Sequence, residues 1–214
     1  MNLRAVHFYK PPVFIASLLP LALLVQGYVQ DSLGANPIET ITRGTGDWTL
    51  NFLLLSLAIT PLRRLTHWQW PMRLRRMLGL FAFFYACLHF AIYIWLDQFF
   101  DWEGIFYDIL DRPFITVGFL GFTLLIPLAL TSTRGMMQRL GGKRWQGLHR
   151  LVYVSAIAGV LHYAWLVKAD LQEPLIYAAI LAVLLGFRVV MQQRKLRPQR
   201  HTKINRASAR PPAG

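Results

Sequence analysis

The chain has 214 residues, of which 55% are hydrophobic and only 15% charged, against about 25% charged residues in soluble domains. Its apolar residues gather in long, nearly charge-free runs, which excludes an ordinary water-soluble globule. A formal charge of +13, from 23 Lys+Arg and 10 Asp+Glu, would suggest nucleic acid in a soluble protein, but the basic residues lie between apolar runs and no nucleic-acid partner is expected.

Six runs approach the roughly 20 apolar residues that span about 30 Å of hydrocarbon. In chain order they are Val13–Val29, Trp48–Leu62, Leu78–Leu96, Phe114–Thr133, Leu148–Val167 and Pro174–Val190, joined by short connections. The first has a weakly basic start (Arg4, Lys10) but no small-x-small cleavage site, so it reads as a retained helix, kinked near Pro20, rather than a signal peptide. The third and fourth carry no formal charge. Residues 193–214 read as a disordered basic extension able to touch anionic lipid headgroups. The expected fold is all-α: a polytopic membrane protein with a six-helix bundle over 1–192 and a cytoplasmic tail over 193–214.

Orientation follows from the charges. Segments 31–47, 97–113 and 168–173 hold all ten acids and only three basic residues, Arg43, Arg112 and Lys168. The other 20 of the 23 Lys and Arg fall in 1–12, 63–77, 132–150 and 188–214, which contain no acid. Lys and Arg stay on the cytoplasmic side, so both termini are expected inside and the acidic loops outside.

An ionisable side chain within a span is a functional candidate. His89 lies in the third run and His162 in the fifth, eight residues before Asp97 and six before Lys168 respectively. At 1.5 Å per residue both lie roughly 9–12 Å below the outer surface. The two runs share a direction, so a porphyrin between them could take one imidazole on each face of its iron, leaving no open position and favouring electron transfer over oxygen chemistry. Phe83, Phe84, Ala86, Phe90, Ala158, Gly159 and Tyr163 surround them in sequence and offer an apolar slot. Two other readings stand beside haem: a transition-metal relay, and two histidines that merely hydrogen-bond neighbouring helices. His7, His67 and His201 fall in tails or a loop and read as solvated or headgroup-level side chains. The single cysteine, Cys87, leaves no disulfide, Cys-based metal site or CxxCH attachment, so any haem is held non-covalently.

His149, 13 residues before His162, falls roughly 20 Å away along an ideal helix and about 140° around it. A bend or an irregular first turn would change that phase. It lies in KRWQGLHR, where Lys143, Arg144 and Arg150 could hold propionates or a flavin phosphate or simply set topology.

The stretches ITRGTGDW (Ile41–Trp48), RLRRMLGL (Arg73–Leu80), YACLHFAIYIWLD (Tyr85–Asp97) and GKRWQGLHRLVYVSAIAGVLHY (Gly142–Tyr163) together resemble the MsrQ family, the haem-binding membrane subunits of bacterial protein-methionine-sulfoxide reductases, within the wider ferric-reductase-like transmembrane family. The resemblance runs to about residue 192. It implies a six-helix cytochrome b of the bacterial inner membrane that binds haem b and FMN. Such a subunit draws electrons from the quinone pool or a cytosolic flavin reductase and passes them to MsrP, a periplasmic molybdopterin-dependent methionine-sulfoxide reductase that repairs oxidised proteins. His89 and His162 match the family's outer haem ligands and His149 its inner histidine.

Two-haem members of the wider family carry a second histidine further in on the third helix, and here that level holds Arg75 and Arg76. His149 therefore lacks its usual partner. It could pair with Met77, Met72 or His67, ligate alone, or line a flavin or quinone site, for which an always-charged guanidinium suits an anionic group. The resulting candidates are His89, His162 and His149 for metal, with Arg75, Arg76 and Arg150 beside them for cofactor. No GxGxxG follows a strand, so no nicotinamide site is expected. No catalytic residue is expected either: the chain reads as the electron-transfer subunit of an oxidoreductase complex, not its catalytic subunit. The acidic stretch Asp97–Asp111 is the expected docking surface for the partner. The rival functions are a quinone-linked cytochrome b of another dehydrogenase or ferric reductase, and a small His-relay transporter.

Overall fold

A computed structural model describes residues 3–167 and 171–208, with side chains described for 9–167 and 171–194. Among the described residues the regular structure is entirely helical: α1 (Leu3–Val29), α2 (Pro37–Thr66), α3 (Arg75–Ile92), α4 (Trp102–Asp111), α5 (Pro113–Leu130), α6 (Arg134–Leu140), α7 (Gly142–Leu148), α8 (Leu151–Leu166) and α9 (Gln172–Ser208). A 3₁₀ turn, Trp70–Arg73, leads into α3, and a wider π-helical turn, Tyr93–Asp97, extends it. Each of the six apolar runs contributes to one long helix.

Four stretches are long and apolar enough to cross a membrane by length and composition: Tyr9–Val29, Arg75–Asp97, Pro113–Leu130 and Gln172–Arg194. The other two differ from a simple span for identifiable reasons. α2 is longer than its apolar run because Pro37 at its start and the Asn36 side chain, accepting from the Glu39 amide at 3.2 Å, begin the helix in polar sequence. α8 has only 16 residues, about 24 Å of rise, because the chain breaks at His149–Arg150 after α7. The connections are also richer than expected: α4 occupies one, and α6 and α7 another. α9 continues to Ser208, past the expected start of the tail at 193, and residues 209–214 lie outside the described residues.

The tightest pairings are α2 with α3 and α5 with α8. In the first, Phe52 stacks on Phe81 and Tyr85 with centroids 5.5 and 5.3 Å apart. Tyr85 is fully buried. Its hydroxyl donates to the Ser17 carbonyl at 2.8 Å and accepts the Leu21 amide at 3.2 Å, entering between two groups that an undisturbed helix joins directly. α1 runs as one helix through Pro20, and Tyr85 supplies a polar partner where that proline interrupts the ladder. In the second pairing small residues set the distance. A Cβ on Gly121 would lie 3.3 Å from the Ala158 Cβ, and Ser155 donates to the Gly121 carbonyl at 2.8 Å. Large apolar side chains such as Ile15, Leu19, Leu23 and Val183 remain exposed, the reverse of a soluble helix surface.

Candidate functional site

The α2–α3 and α5–α8 pairs meet around a cavity of about 340 Å³ lined by α2, α3, the π-helical turn, α4, α5 and α8. That falls within the usual range for a small-molecule site. Along α2 the lining runs from Thr42 to Leu53, about 16 Å of helix. One end, carrying Arg43, Asp47, Asp97 and Arg112, is charged, whereas Leu53, Ala86, Phe122 and Leu125 make the rest apolar.

His89 and His162 both line this cavity. Their ring centroids are 6.1 Å apart with planes at 77°. Two imidazoles on opposite sides of one metal, with bonds of about 2 Å, have centroids about 6 Å apart. The same depth inferred from sequence thus becomes proximity in space. The His89 Nδ1 lies 2.9 Å from the Thr42 carbonyl and the His162 Nδ1 lies 2.7 Å from the Phe114 carbonyl. A carbonyl only accepts, so each Nδ1 carries the proton and each Nε2 keeps its lone pair. Among the described residues neither Nε2 has a hydrogen-bond partner. This is how a histidine is held to serve as a metal ligand: one nitrogen fixed by the backbone, the other free.

Glycines make room for the rings. A Cβ on Gly118 would lie 2.7 Å from the His162 Nδ1, and one on Gly46 would lie 3.2 Å from the His89 Cε1. A side chain at Gly118 therefore cannot coexist with the present ring position. The residues fit a flat porphyrin held by two imidazoles: rings 6.1 Å apart with both Nδ1 atoms tied to carbonyls, apolar walls, small residues beside the rings and charge at one end.

Of the expected slot, Ala86, Phe90, Gly159 and Tyr163 line the cavity. Phe83 stacks in parallel on Phe122 at 6.1 Å, Ala158 is buried against α5, and Phe84 is partly exposed. Sequence reasoning missed what α2 and α5 supply, namely the two anchoring carbonyls, Gly46, Gly118, Arg43 and Arg112. Backbone acceptors leave no mark on residue identity. The arginines were visible as two exceptions to the charge ledger.

At the charged end Asp47 lies among Arg43, Tyr163, Tyr177 and Glu173. Its carboxyl interacts electrostatically with all four. Tyr163 donates to the Glu173 carboxylate, and Tyr177 to the Asn51 Oδ1 at 3.2 Å.

His149 sits elsewhere, in the turn between α7 and α8, so the rotation calculated for one ideal helix does not apply. Its ring stacks on Trp145 with centroids 4.0 Å apart. The Thr131 hydroxyl gives its one proton to the Pro127 carbonyl at 2.6 Å and therefore accepts from the His149 Nε2 at 3.1 Å. Trp145 donates to the Thr131 carbonyl at 2.9 Å. Among the described residues no second histidine ring contacts His149, while Met72 and Met77 pack against the α2–α3 core. Arg75 interacts electrostatically with both His149 and Arg188. Arg76 and Arg150 make no ion pair among the described residues. Lys168 and the side chains of His7 and His201 lie outside those described.

Residues 45–160 match the family described as ferric reductase like transmembrane component. The chain is 63% identical over 182 residues to a protein of Herminiimonas arsenicoxydans, covering 84% of each. It is 60% identical over 188 residues to one of Rhodospirillum rubrum, covering 88% of this chain and 90% of that protein. With one of Azospira oryzae it shares 57% identity over 188 residues, covering 87% and 81%. All three are named protein-methionine-sulfoxide reductase heme-binding subunit MsrQ.

Proposed function

Starting from the fact that this chain belongs to the MsrQ family of ferric-reductase-like membrane proteins, we propose that it carries electrons across the bacterial inner membrane through a haem b held by His89 and His162. The single observation that carries this reading is the opposed pair of imidazoles, 6.1 Å apart, with both Nδ1 atoms tied to backbone carbonyls. A haem held by both imidazoles would supply one-electron chemistry and offer no open site for substrate. The chain's own residues fix the imidazoles, exclude water with apolar walls, and place charge at one end of the cavity.

The six long helices are the proposed spans, with both termini cytoplasmic and the acidic end of the bundle, where the cavity opens, periplasmic. The acceptor in this reading is the periplasmic molybdopterin enzyme MsrP, which repairs oxidised methionine. The acidic surface around α4 is its docking face, and the donor is the quinone pool or a cytosolic flavin reductase. FMN is assigned to the basic end, with Arg75, Arg76 and Arg150 as its proposed anchors; Arg75 interacts electrostatically with His149 and Arg150 follows it in the chain. The His149 Nε2 donates to Thr131, which favours a place for it beside such an anionic group over a second iron.

The test is a spectrum of the purified full-length protein with haemochrome and flavin quantitation. A Soret band that sharpens on dithionite reduction, with FMN present, supports the reading. A colourless protein favours the His-relay transporter, and co-purification with a different dehydrogenase favours the other cytochrome b role.

A further inference from the structure

Arg43 and Arg112 are the only two basic residues among the described residues of the acidic segments, and both line the mouth of the histidine cavity. They stand on different walls, Arg43 on α2 and Arg112 capping the start of α5. Each is tied in sequence to one imidazole. Arg43 follows Thr42, whose carbonyl fixes His89, and Arg112 precedes by two residues Phe114, whose carbonyl fixes His162. The backbone segment that anchors each ring therefore also carries one arginine at the cavity.

Both arginines are held from behind. Arg43 Nη2 pairs with Glu39 at 2.6 Å and Arg112 Nε with Asp108 at 3.0 Å. Asp108 also accepts the Tyr93 hydroxyl at 3.1 Å and the Gln98 amide at 3.0 Å. A guanidinium has five N–H donors, so each arginine keeps donors beyond its acid partner. The same mouth carries Asp47 and Asp97, so a carboxylate seated there has to be held by the two guanidiniums against those acids.

We propose that Arg43 and Arg112 form a two-armed clamp for the two propionate carboxylates of the porphyrin, fixing that edge at the mouth of the cavity. The clamp rests on the reading of His89 and His162 as axial ligands. Guanidinium suits the task because it is always charged and forks onto a carboxylate. It also gives a role to two of the three cations found in the segments where acids predominate.

The experiment uses full-length protein in membranes from haem-deficient cells, titrated with iron protoporphyrin IX and, separately, with its dimethyl ester, following the Soret band. Charge-assisted hydrogen bonds are worth enough that removing the carboxylates weakens binding about tenfold or more. The wild type is expected to prefer the free acid by that factor, and Arg43→Gln/Arg112→Gln to lose the preference while keeping the same band position. Arg43→Lys/Arg112→Lys, which keeps the charge without the fork, is expected to keep part of it. Equal binding of acid and ester by the wild type overturns the clamp but leaves the histidine reading intact. Failure of the wild type to give a bis-imidazole spectrum with either compound overturns both.

Discussion

The rings of His89 and His162 face one another across a single cavity, 6.1 Å apart and inclined at 77°. Each is the only described partner of its kind for the other, so neither can be replaced from nearby. His89→Ala and His162→Ala are each expected to abolish the low-spin Soret spectrum, measured on purified protein with pyridine haemochrome quantitation. Retention of the spectrum in either variant would remove that residue from the ligand pair.

Gly118 and Gly46 differ in how closely they approach the rings, which gives an ordered prediction. A Cβ on Gly118 would sit 2.7 Å from the His162 Nδ1, whereas one on Gly46 would come no closer than 3.2 Å to His89. Gly118→Ala must displace the ring or break its bond to the Phe114 carbonyl. It is expected to lose most bound haem, and Gly46→Ala much less, with haem per chain as the measurement.

At His149 the expectation is different. Its ring lies on Trp145 and its Nε2 bonds Thr131, a set of contacts whose removal costs about 1–2 kcal/mol. His149→Ala is expected to lower the thermal midpoint by a few degrees and to reduce flavin content while leaving haem per chain unchanged. A halving of haem would instead identify it as an iron ligand.

Tyr85→Phe removes one hydroxyl and leaves the ring stack in place. The Ser17 carbonyl and Leu21 amide then lose their shared partner within a buried contact, at a cost of about 1–3 kcal/mol. The expected result is a lower thermal midpoint with an unchanged haem spectrum. A spectrum altered as strongly as stability would show that α1 positions the cavity as well as bracing it.

The apolar runs exposed each long helix in the sequence, because a run of uncharged residues is a direct consequence of the solvent it meets. Helix ends were less visible: Asn36–Pro37 starts α2 by capping, not by hydropathy, and α8 starts late because the chain turns at His149–Arg150. The pairing of His89 with His162 was legible from their equal depth. Their anchors were not, since the Thr42 and Phe114 carbonyls belong to the backbone and any residue type could provide them. Thr131 under His149 is a side-chain acceptor, but its role appears only once the end of α5 and α7 are placed side by side.

The two anchoring bonds also divide the chain by order of synthesis. The first imidazole is complete when α2 and α3 have paired, since His89 needs only Thr42. The second requires α5 and α8, because His162 takes its orientation from Phe114. A chain ending before α8 would thus hold one fixed imidazole without its counterpart. On the proposed reading of the two histidines as haem ligands, cofactor capture would have to wait for the pairing of α5 with α8, and so would report that the later helices are in place.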